Sequence, residues 1–255
     1  MGYDAYNTTM NTPRIYCPVP LAAGLRSELP EAAARHVLKV LRMRSGDELT
    51  LFDGAGGEYA CRIAANGSRG VAVDVLEWHA LEREAPLAIT LVQALQAGDK
   101  MDMTVQKAVE LGVARIVPVT SRRSVVRLDG ARALRRVEHW RAVTVAACEQ
   151  CGRNRLPEVA ALESLESWLG KPPAPGALRL MLAPQAQQTL HGMAPPTAGA
   201  ALELLIGAEG GLAPEEMQGA VLAGFVSVRL GPRILRTETA GLATLAAIQC
   251  LWGDF

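Results

Sequence analysis

Two glycine-bearing loops follow apolar segments in the last third of the chain. The first, Ile206–Leu212 (I-G-A-E-G-G-L), comes after a predicted strand at Ala201–Ile206. The second begins at Leu230 with L-G-P-R-I-L-R, after a predicted strand at Phe225–Leu230. Glycines let the backbone approach a ligand closely, and helix N-termini offer it free N–H groups. Either loop alone reads as an ordinary turn, but together they predict a ligand site beyond the carboxyl ends of strands.

The segment after the second loop is predicted to be a helix, with Thr237 as its N-cap and an almost wholly apolar sequence up to Trp252. A helix that is apolar nearly all round is expected to be buried. Upstream, a strand, a helix capped by Asp99 and a second strand are predicted in succession, at Leu87–Leu95, Asp99–Gly112 and Val113–Val119. This β-α-β order predicts a parallel sheet and an α/β fold.

Between these regions the sequence predicts a long helix at Ala131–Glu149. Its inner side is expected to be formed by Leu134, Val137, Trp140 and Thr144. Further elements are predicted at Leu162–Leu169, Leu178–Leu182 and Pro214–Ala223.

The front of the chain has a different pattern. From Arg14 to about Glu77 there are only short strands and turns, as in a small β-barrel, and the charged, proline-ended Leu81–Pro86 is the best candidate linker. We therefore predict three regions: a disordered extension at 1–12, a β-domain at 13–85 and an α/β domain at 86–255.

Composition limits the class of protein. The 255 residues are 49% hydrophobic, enough for a sizeable core, and no segment is long and apolar enough to span a bilayer. Five cysteines do not make a disulfide framework, and the pair Cys148 and Cys151 lacks the further ligands of a zinc site. We expect a cytoplasmic protein without a metal. Met10 is the expected true start of the chain.

Charge is unevenly distributed although the formal net charge is zero. Residues 112–155 contain ten arginines and no lysine. Planar guanidinium groups favour bidentate phosphate contacts, which indicates RNA, but such a run is equally typical of a solvated helix face. Charge alone leaves both readings open.

The sequences of four segments resemble those of one protein family. I-G-x-E-G-G and L-G-x-R-I-L-R-x-E-T-A, with E-Q-C-G-R-N at Glu149–Asn154 and the stretch Arg35–Gly54, are similar to the RsmE family of the SPOUT superfamily, which methylates uracil N3 in small-subunit ribosomal RNA. The resemblance covers nearly the whole chain from Arg14 to Trp252, and the matching segments occur in the same order as in the family. One departure is Ala208, where the family usually has proline. Its absence costs some loop pre-organisation, about 0.4 to 1 kcal/mol, but removes no functional group.

The resemblance implies a SPOUT-type parallel sheet with a C-terminal trefoil knot, preceded by a PUA-like β-barrel domain that binds RNA. It also implies a homodimer in which the RNA pocket is completed across subunits. Neither feature follows from composition or periodicity.

The cofactor implied by the resemblance is S-adenosylmethionine. The chain has no G-x-G-x-x-G and no P-loop motif, which disfavours dinucleotide and nucleoside triphosphate sites. We expect backbone groups of the two loops to hold adenosine, above all at Ile206, Gly207, Gly211, Leu230, Ile234 and Leu235. The full set of expected cofactor residues adds Leu182, Glu209, Gly210, Gly231, Thr239 and Ala240.

The resemblance also directs attention to Arg236 and Glu238. Methylation of uracil N3 requires loss of the imide proton from an unpaired base. Glu238 is the candidate for orienting or deprotonating the imide, and Arg236 for stabilising charge on O2 or O4. A carboxylate in a first helical turn is also favoured by the helix dipole alone, so the structural reading of Glu238 stays open.

RNA contacts are expected from basic and amide side chains in the matching segments. These are Arg14, Arg35, Lys39, Arg42, Arg123, Arg127, Arg153 and Asn154. Ribosomal RNA within the small subunit is the expected partner, and no membrane partner is expected.

Two other functions remain open from the sequence. One is another SPOUT activity, ribose 2′-O or guanine N1 methylation of RNA. The other is a non-catalytic RNA-binding factor in ribosome assembly that keeps the fold.

Overall fold

The computed structural model describes residues 12–67 and 70–255, and its contacts divide the chain into two units. The first contains the chain up to Glu84 together with Cys148–Leu156, and the second contains Ala85–Ala147 and Pro157–Phe255. The division after Glu84 lies where the sequence predicted a boundary. The return of Cys148–Leu156 to the first unit departs from the contiguous domain predicted at 86–255. Met10 and all but residue 12 of the predicted extension at 1–12 lie outside the described residues.

The first unit is built on a five-stranded sheet in the order β1-β3-β4-β5-β2. Its strands are β1 (Arg14–Tyr16), β2 (Arg26–Glu28), β3 (Glu48–Phe52), β4 (Glu58–Gly67) and β5 (Gly70–His79). Strand β1 runs parallel to β3, and the other neighbours are antiparallel. Side chains such as Ile15, Leu51, Ile63 and Val73 form its core.

One helical segment in this unit contradicts the prediction of strands and turns alone. Glu31–Arg35 forms α1, and His36–Val40 continues it as a π-helical turn. The sequence E-A-A-A-R consists of strong helix formers, and Ala33, Ala34 and Val37 pack into the core of the unit. Helix propensity and the burial of one face therefore explain why this segment is helical.

A buried polar cluster explains why Cys148–Leu156 belongs to the first unit. The fully buried Asn154 donates from Nδ2 to the Leu81 carbonyl (2.7 Å) and to Glu58 Oε2 (3.1 Å). Arg14 donates to Glu58 Oε2 (2.5 Å) and to Asn154 Oδ1 (2.6 Å), and Arg153 pairs with Glu84. The segment E-Q-C-G-R-N thus supplies internal polar partners to this unit.

The second unit contains a parallel sheet with the strand order β12-β10-β11-β6-β7-β8, and β9 also pairs with β7. The strands are β6 (Ile89–Ala94), β7 (Arg115–Thr120), β8 (Glu158–Val159), β9 (Glu163–Ser164), β10 (Leu178–Leu182), β11 (Leu202–Ile206) and β12 (Val226–Val228). The helices are α2 (Lys100–Glu110), α3 (Gly130–Cys151, whose last four residues belong to the first unit), α4 (Leu165–Leu169), α5 (Pro214–Leu222) and α6 (Thr237–Trp252), with a 3₁₀ turn at Leu190–Gly192. This confirms the predicted parallel α/β sheet.

Helices cover both faces of this sheet. On β6, Leu91 points into the core formed with α2, α3 and α6, and the next residue, Val92, points into the core formed with α4 and α5. Two helix predictions need correction. Leu134, predicted to face inward, is exposed on α3, whereas Val137, Trp140 and Thr144 are buried as predicted.

The second correction concerns the burial of helix α6, which was predicted to be buried nearly all round. It is buried mainly along one face, because Thr239 and Cys250 are exposed on the opposite face and Leu251 is exposed in the last turn. Among the described residues, no helix is long and apolar enough to cross a membrane. The trefoil knot implied by the resemblance stays a prediction.

The buried cluster around Glu58 yields a stability prediction. Replacing Glu58 by Gln removes the counter-charge of Arg14, whose side chain is only 11% exposed, so we expect a loss of about 3 kcal/mol in the free energy of unfolding. Urea denaturation at neutral pH measures it. The matched control is Glu48→Gln, which breaks an exposed pair with Arg62 and should cost under about 1 kcal/mol. Equal effects of the two substitutions would contradict a structural role for the cluster.

The same cluster predicts a pH dependence. Burial by itself raises the pKa of Glu58, but Arg14, Asn154 and Arg83 outweigh this and hold the pKa below its usual value. A carboxyl with a lowered folded pKa stabilises the protein above its unfolded pKa, and this stabilisation is lost as pH falls through the folded pKa. The stability difference between wild type and Glu58→Gln should therefore shrink on acidification.

Candidate functional site

A cavity of about 760 Å³ lies beyond the carboxyl ends of β10, β11 and β12, which are neighbours in the sheet of the second unit. It is lined by the chain segments that follow these strands, together with Lys100 from the start of α2 and Arg123 from the loop after β7. The two glycine-bearing loops therefore meet at one site, in the position expected for a ligand in an open α/β sheet.

The first loop is a tight turn that depends on glycine. The Gly211 N–H donates to the Ala208 carbonyl (2.8 Å), and Gly211 has a φ of +70°, which favours glycine. A Cβ on Gly207 would lie 2.9 Å from the Gly211 carbonyl carbon, so this position also requires glycine. The turn closes with Ala208 in place of the family's usual proline.

The second loop is more open. A Cβ added at Gly231 would meet nothing within 4 Å, although Gly231 lines the cavity. Ile234 is 81% exposed, and Arg236 is exposed at the N-cap position of α6. The loop therefore offers both backbone groups and an apolar side chain to the cavity.

Thr237 joins the two loops. Its hydroxyl donates to the Gly207 carbonyl (2.6 Å) and accepts from the side-chain amides of Gln93 (3.1 Å) and Gln96 (3.3 Å). Thr237 was predicted as the N-cap, but the structure places it in the first helical position, after Arg236, with its hydroxyl turned away from the helix end. This fixes the start of α6 to the first loop.

Sequence reasoning missed the glutamines of this network. Gln93 and Gln96 are buried at the end of β6 and just beyond it, and Thr104 on α2 donates to Gln96 Oε1 (2.9 Å). A signal was present, because two amides interrupt an otherwise apolar strand in L-V-Q-A-L-Q, and buried amides require partners.

Three charged side chains meet at one edge of the cavity. Lys100 Nζ lies 3.4 Å from Glu238 Oε1 and 3.7 Å from Glu209 Oε1. Burial alone would raise the pKa of Glu209, but backbone N–H groups of Ala97 and Glu209 and the Lys100 ammonium bring it below its usual value. Glu209 is therefore ionised at neutral pH. Lys100 was not identified from the sequence.

Most residues expected to bind the cofactor line this cavity. They are Leu182, Ile206, Gly207, Glu209, Gly210, Gly211, Leu230, Gly231, Ile234, Leu235 and Ala240, joined by the two expected catalytic residues Arg236 and Glu238. Thr239 is the exception, since it is exposed on α6 and does not line the cavity. Their roles stay predictions.

The residues expected to contact RNA fall into different environments. In the first unit, Arg35, Lys39 and Arg42 are exposed on or just after the helical segment. Arg14, Arg153 and Asn154 instead belong to the buried cluster, where protein groups already occupy them, and this burial argues against direct RNA contact.

The two remaining candidates lie in the second unit. Arg123 and Arg127 are exposed there, and Arg123 donates to the Gly210 carbonyl (2.9 Å) beside the cavity. The RNA-binding roles of these residues stay predictions. Among the described residues, no group of three or more His, Cys, Asp or Glu side chains could hold a metal ion.

Comparison with known proteins agrees with this architecture. Residues 83–249 match the RNA methyltransferase domain, and residues 29–76 match the RNA methyltransferase PUA domain. Ribosomal RNA small subunit methyltransferase E of Buchnera aphidicola is 32% identical over 95% of this chain and 97% of its own. The chain belongs to the ribosomal RNA small subunit methyltransferase E family.

Two solved structures extend the family comparison. The Neisseria gonorrhoeae ribosomal RNA small subunit methyltransferase E, bound to S-adenosyl methionine, has a TM-score of 0.90 and 41% identity, covering 96% of this chain and all of its own. A Legionella pneumophila protein in complex with the same cofactor has a TM-score of 0.91 and 37% identity, with the same coverage. The predicted PUA domain and the SPOUT-type α/β fold of this family are confirmed.

The Thr237 network gives a prediction about the site's rigidity. Thr237→Val keeps the shape of the side chain but removes the hydroxyl from the Gly207 carbonyl and from the Gln93 and Gln96 amides, of which Gln93 keeps its bond to the Ala94 carbonyl. We therefore expect a loss of about 1 to 3 kcal/mol in the free energy of unfolding. Thermal denaturation measures it, with Thr239→Val on the exposed side of the same turn as the control. A Thr237→Val protein as stable as the control would show that the hydroxyl does not link the loops.

Proposed function

We propose that this chain uses S-adenosylmethionine to methylate N3 of a specific uridine in 16S ribosomal RNA. The observation that carries the proposal is the cavity in which the two glycine loops meet a buried carboxylate, in a chain of this family. Ribosomal RNA within the small subunit is the proposed substrate, and a homodimer the proposed active form.

The cavity fits the proposed cofactor. Its volume lies within the range of about 300 to 1,000 Å³ typical of small-molecule pockets. The required glycine at Gly207 and the open space at Gly231 leave room against the backbone, which suits adenosine held by main-chain groups. When bound, S-adenosylmethionine supplies a methyl group whose bond to N3 forms as its bond to sulfur breaks, leaving a neutral thioether.

The side chains that follow the second loop would act on the base. Glu238 is 91% buried and lines the cavity, and we propose that it accepts the N3 proton of uracil. Arg236, exposed at the cavity, would stabilise the negative charge that develops on O2 or O4 as the proton leaves. Positioning of the base against the methyl group supplies the remaining rate enhancement.

RNA binding is proposed to use the exposed basic residues of each unit. In the first unit these are Arg35, Lys39 and Arg42, and in the second Arg123 and Arg127. Arg14, Arg153 and Asn154 are instead proposed to maintain the first unit, because their polar groups are bonded within it.

The decisive experiment is nucleoside mass spectrometry of ribosomal RNA from a deletion strain and from the same strain complemented with this protein. Loss and recovery of 3-methyluridine would support the proposal. A change in 2′-O-methylated nucleosides or 1-methylguanosine would assign another activity, and no change would indicate a non-catalytic factor.

A glycine substitution tests the cofactor site. Gly231→Val should abolish S-adenosylmethionine binding in calorimetry while the protein stays folded, because Gly231 lines the cavity and a Cβ added there has no protein atom within 4 Å. Gly170→Val, at the end of α4 and away from the cavity, is the matched control. Unchanged affinity in Gly231→Val would place the cofactor elsewhere.

The catalytic assignments predict a separation of turnover from binding. Glu238→Gln and Arg236→Ala should each lower kcat by about 10²-fold or more, with little change in affinity for cofactor or RNA. The deficit of Glu238→Gln should shrink as pH rises, since an ionised imide needs no base.

A control variant tests the alternative that Glu238 only stabilises the N-terminus of its helix through the helix dipole. Glu166→Gln removes an exposed carboxylate from the first turn of α4 and should leave kcat unchanged. If the Glu238 and Arg236 variants merely unfold or lose cofactor affinity, the catalytic assignment is wrong.

A further inference from the structure

Lys100 occupies an unfavourable position for a cation. It is the first residue of α2, where the helix dipole favours negative charge, and Asp99 before it makes no side-chain capping bond. Its ammonium extends toward the two carboxylates at the cavity, Glu238 at 3.4 Å and Glu209 at 3.7 Å. The lysine therefore links the start of α2 to both glycine-bearing segments.

Glu209 is fixed independently of Lys100. Its Oε1 accepts from the Ala97 N–H at 2.9 Å, so the loop before α2 already holds this carboxylate. Glu209 thereby provides a stationary negative charge on one side of the ammonium. Glu209 keeps Nζ in place beside Glu238, so the two carboxylates share the positive charge of the ammonium.

Glu238 has two oxygens in different situations. Oε1 faces Lys100, whereas Oε2 is buried and has no hydrogen-bond partner among the described residues. A buried acceptor without a donor is costly, and most such atoms are satisfied in folded proteins. Because Glu238 also lines the cavity, its carboxylate lies where it can meet a donor on a bound ligand, such as the N3–H of uracil.

We propose that Lys100 is a positioning residue that holds the Glu238 carboxylate at the cavity, where it accepts the imide proton of the target base. The proposal rests on the proposed function and deepens it. The proton passes from N3 to the Glu238 carboxylate, the freed N3 electron pair forms the bond to the methyl carbon as its bond to sulfur breaks, and Lys100 keeps its own protons throughout.

The alternative is that Lys100 forms only a partly exposed surface ion pair. Such pairs contribute little to stability and nothing to a reaction. Helix α2 offers a matched control, because Lys107 also pairs with a carboxylate, Glu110 at 2.7 Å, and does not line the cavity.

The test compares Lys100→Met, Lys100→Arg and Lys107→Met with wild type in steady-state methylation of ribosomal RNA, with calorimetry of S-adenosylmethionine binding. Lys100→Met should lower kcat by about 10- to 100-fold while KM for RNA and the cofactor Kd stay near wild type. Lys100→Arg should recover much of the rate, and Lys107→Met should be unaffected.

A double variant shows whether Lys100 acts through Glu238. If it does, Lys100→Met combined with Glu238→Gln should turn over no more slowly than Glu238→Gln alone. Multiplying effects, or a Lys100→Met enzyme as fast as Lys107→Met, would overturn the proposal. Failure of the wild type to form 3-methyluridine, or full activity of Glu238→Gln, would instead overturn the proposed function.

Discussion

The hydroxyl of Thr237 is the contact on which the candidate site depends. Two loops that are separate in sequence must be held together if they are to enclose one ligand, and the bond from Thr237 to the Gly207 carbonyl does this directly. Buried amides of Gln93 and Gln96 complete the hydroxyl's hydrogen bonding and tie both loops to the end of β6. In a low-dielectric interior such a network is strong when satisfied and costly when broken, so it defines one arrangement of the loops.

The alternation of side chains along β6 explains how this network coexists with an apolar sheet. Leu91 and Gln93 point to the face covered by α2 and α6, whereas Val92 and Ala94 point to the opposite core. Moving the glutamine by one residue would direct its amide into the other core, where Thr237 does not lie. Gln93, the last residue but one of β6, therefore marks where the apolar core ends and the candidate site begins.

Sequence patterns predicted what local chemistry determines. Glycine spacing predicted the two loops, and β-α-β order predicted the parallel sheet. The inward side of α3 was correct at Val137 and Trp140 but wrong at Leu134, because periodicity locates an apolar stripe without showing how far the neighbouring elements cover it. Most residues expected at the cofactor site do line the cavity; Thr239 does not, since it occupies the solvent side of its helical turn.

Long-range partners were beyond such reasoning. That Asn154 would be buried against Glu58 and Leu81, 96 and 73 residues away in sequence, has no local signal. The charge run that includes Arg153 suggested an exposed basic surface, but this arginine is 5% exposed and paired with Glu84. Arginine count alone does not distinguish a phosphate-binding surface from internal ion pairs, because both use the same bidentate geometry.

Under the proposed function, cofactor binding and chemistry use different parts of the cavity. Its glycine turns leave main-chain groups accessible, and under the proposed function these would recognise the cofactor by shape and hydrogen bonding without adding charge. The charged groups Lys100, Glu209 and Glu238 lie together at one edge, where two carboxylates share one ammonium and an oxygen of Glu238 remains unsatisfied. Keeping such an atom buried lowers stability, and local features that lower stability are expected where a protein is built for function.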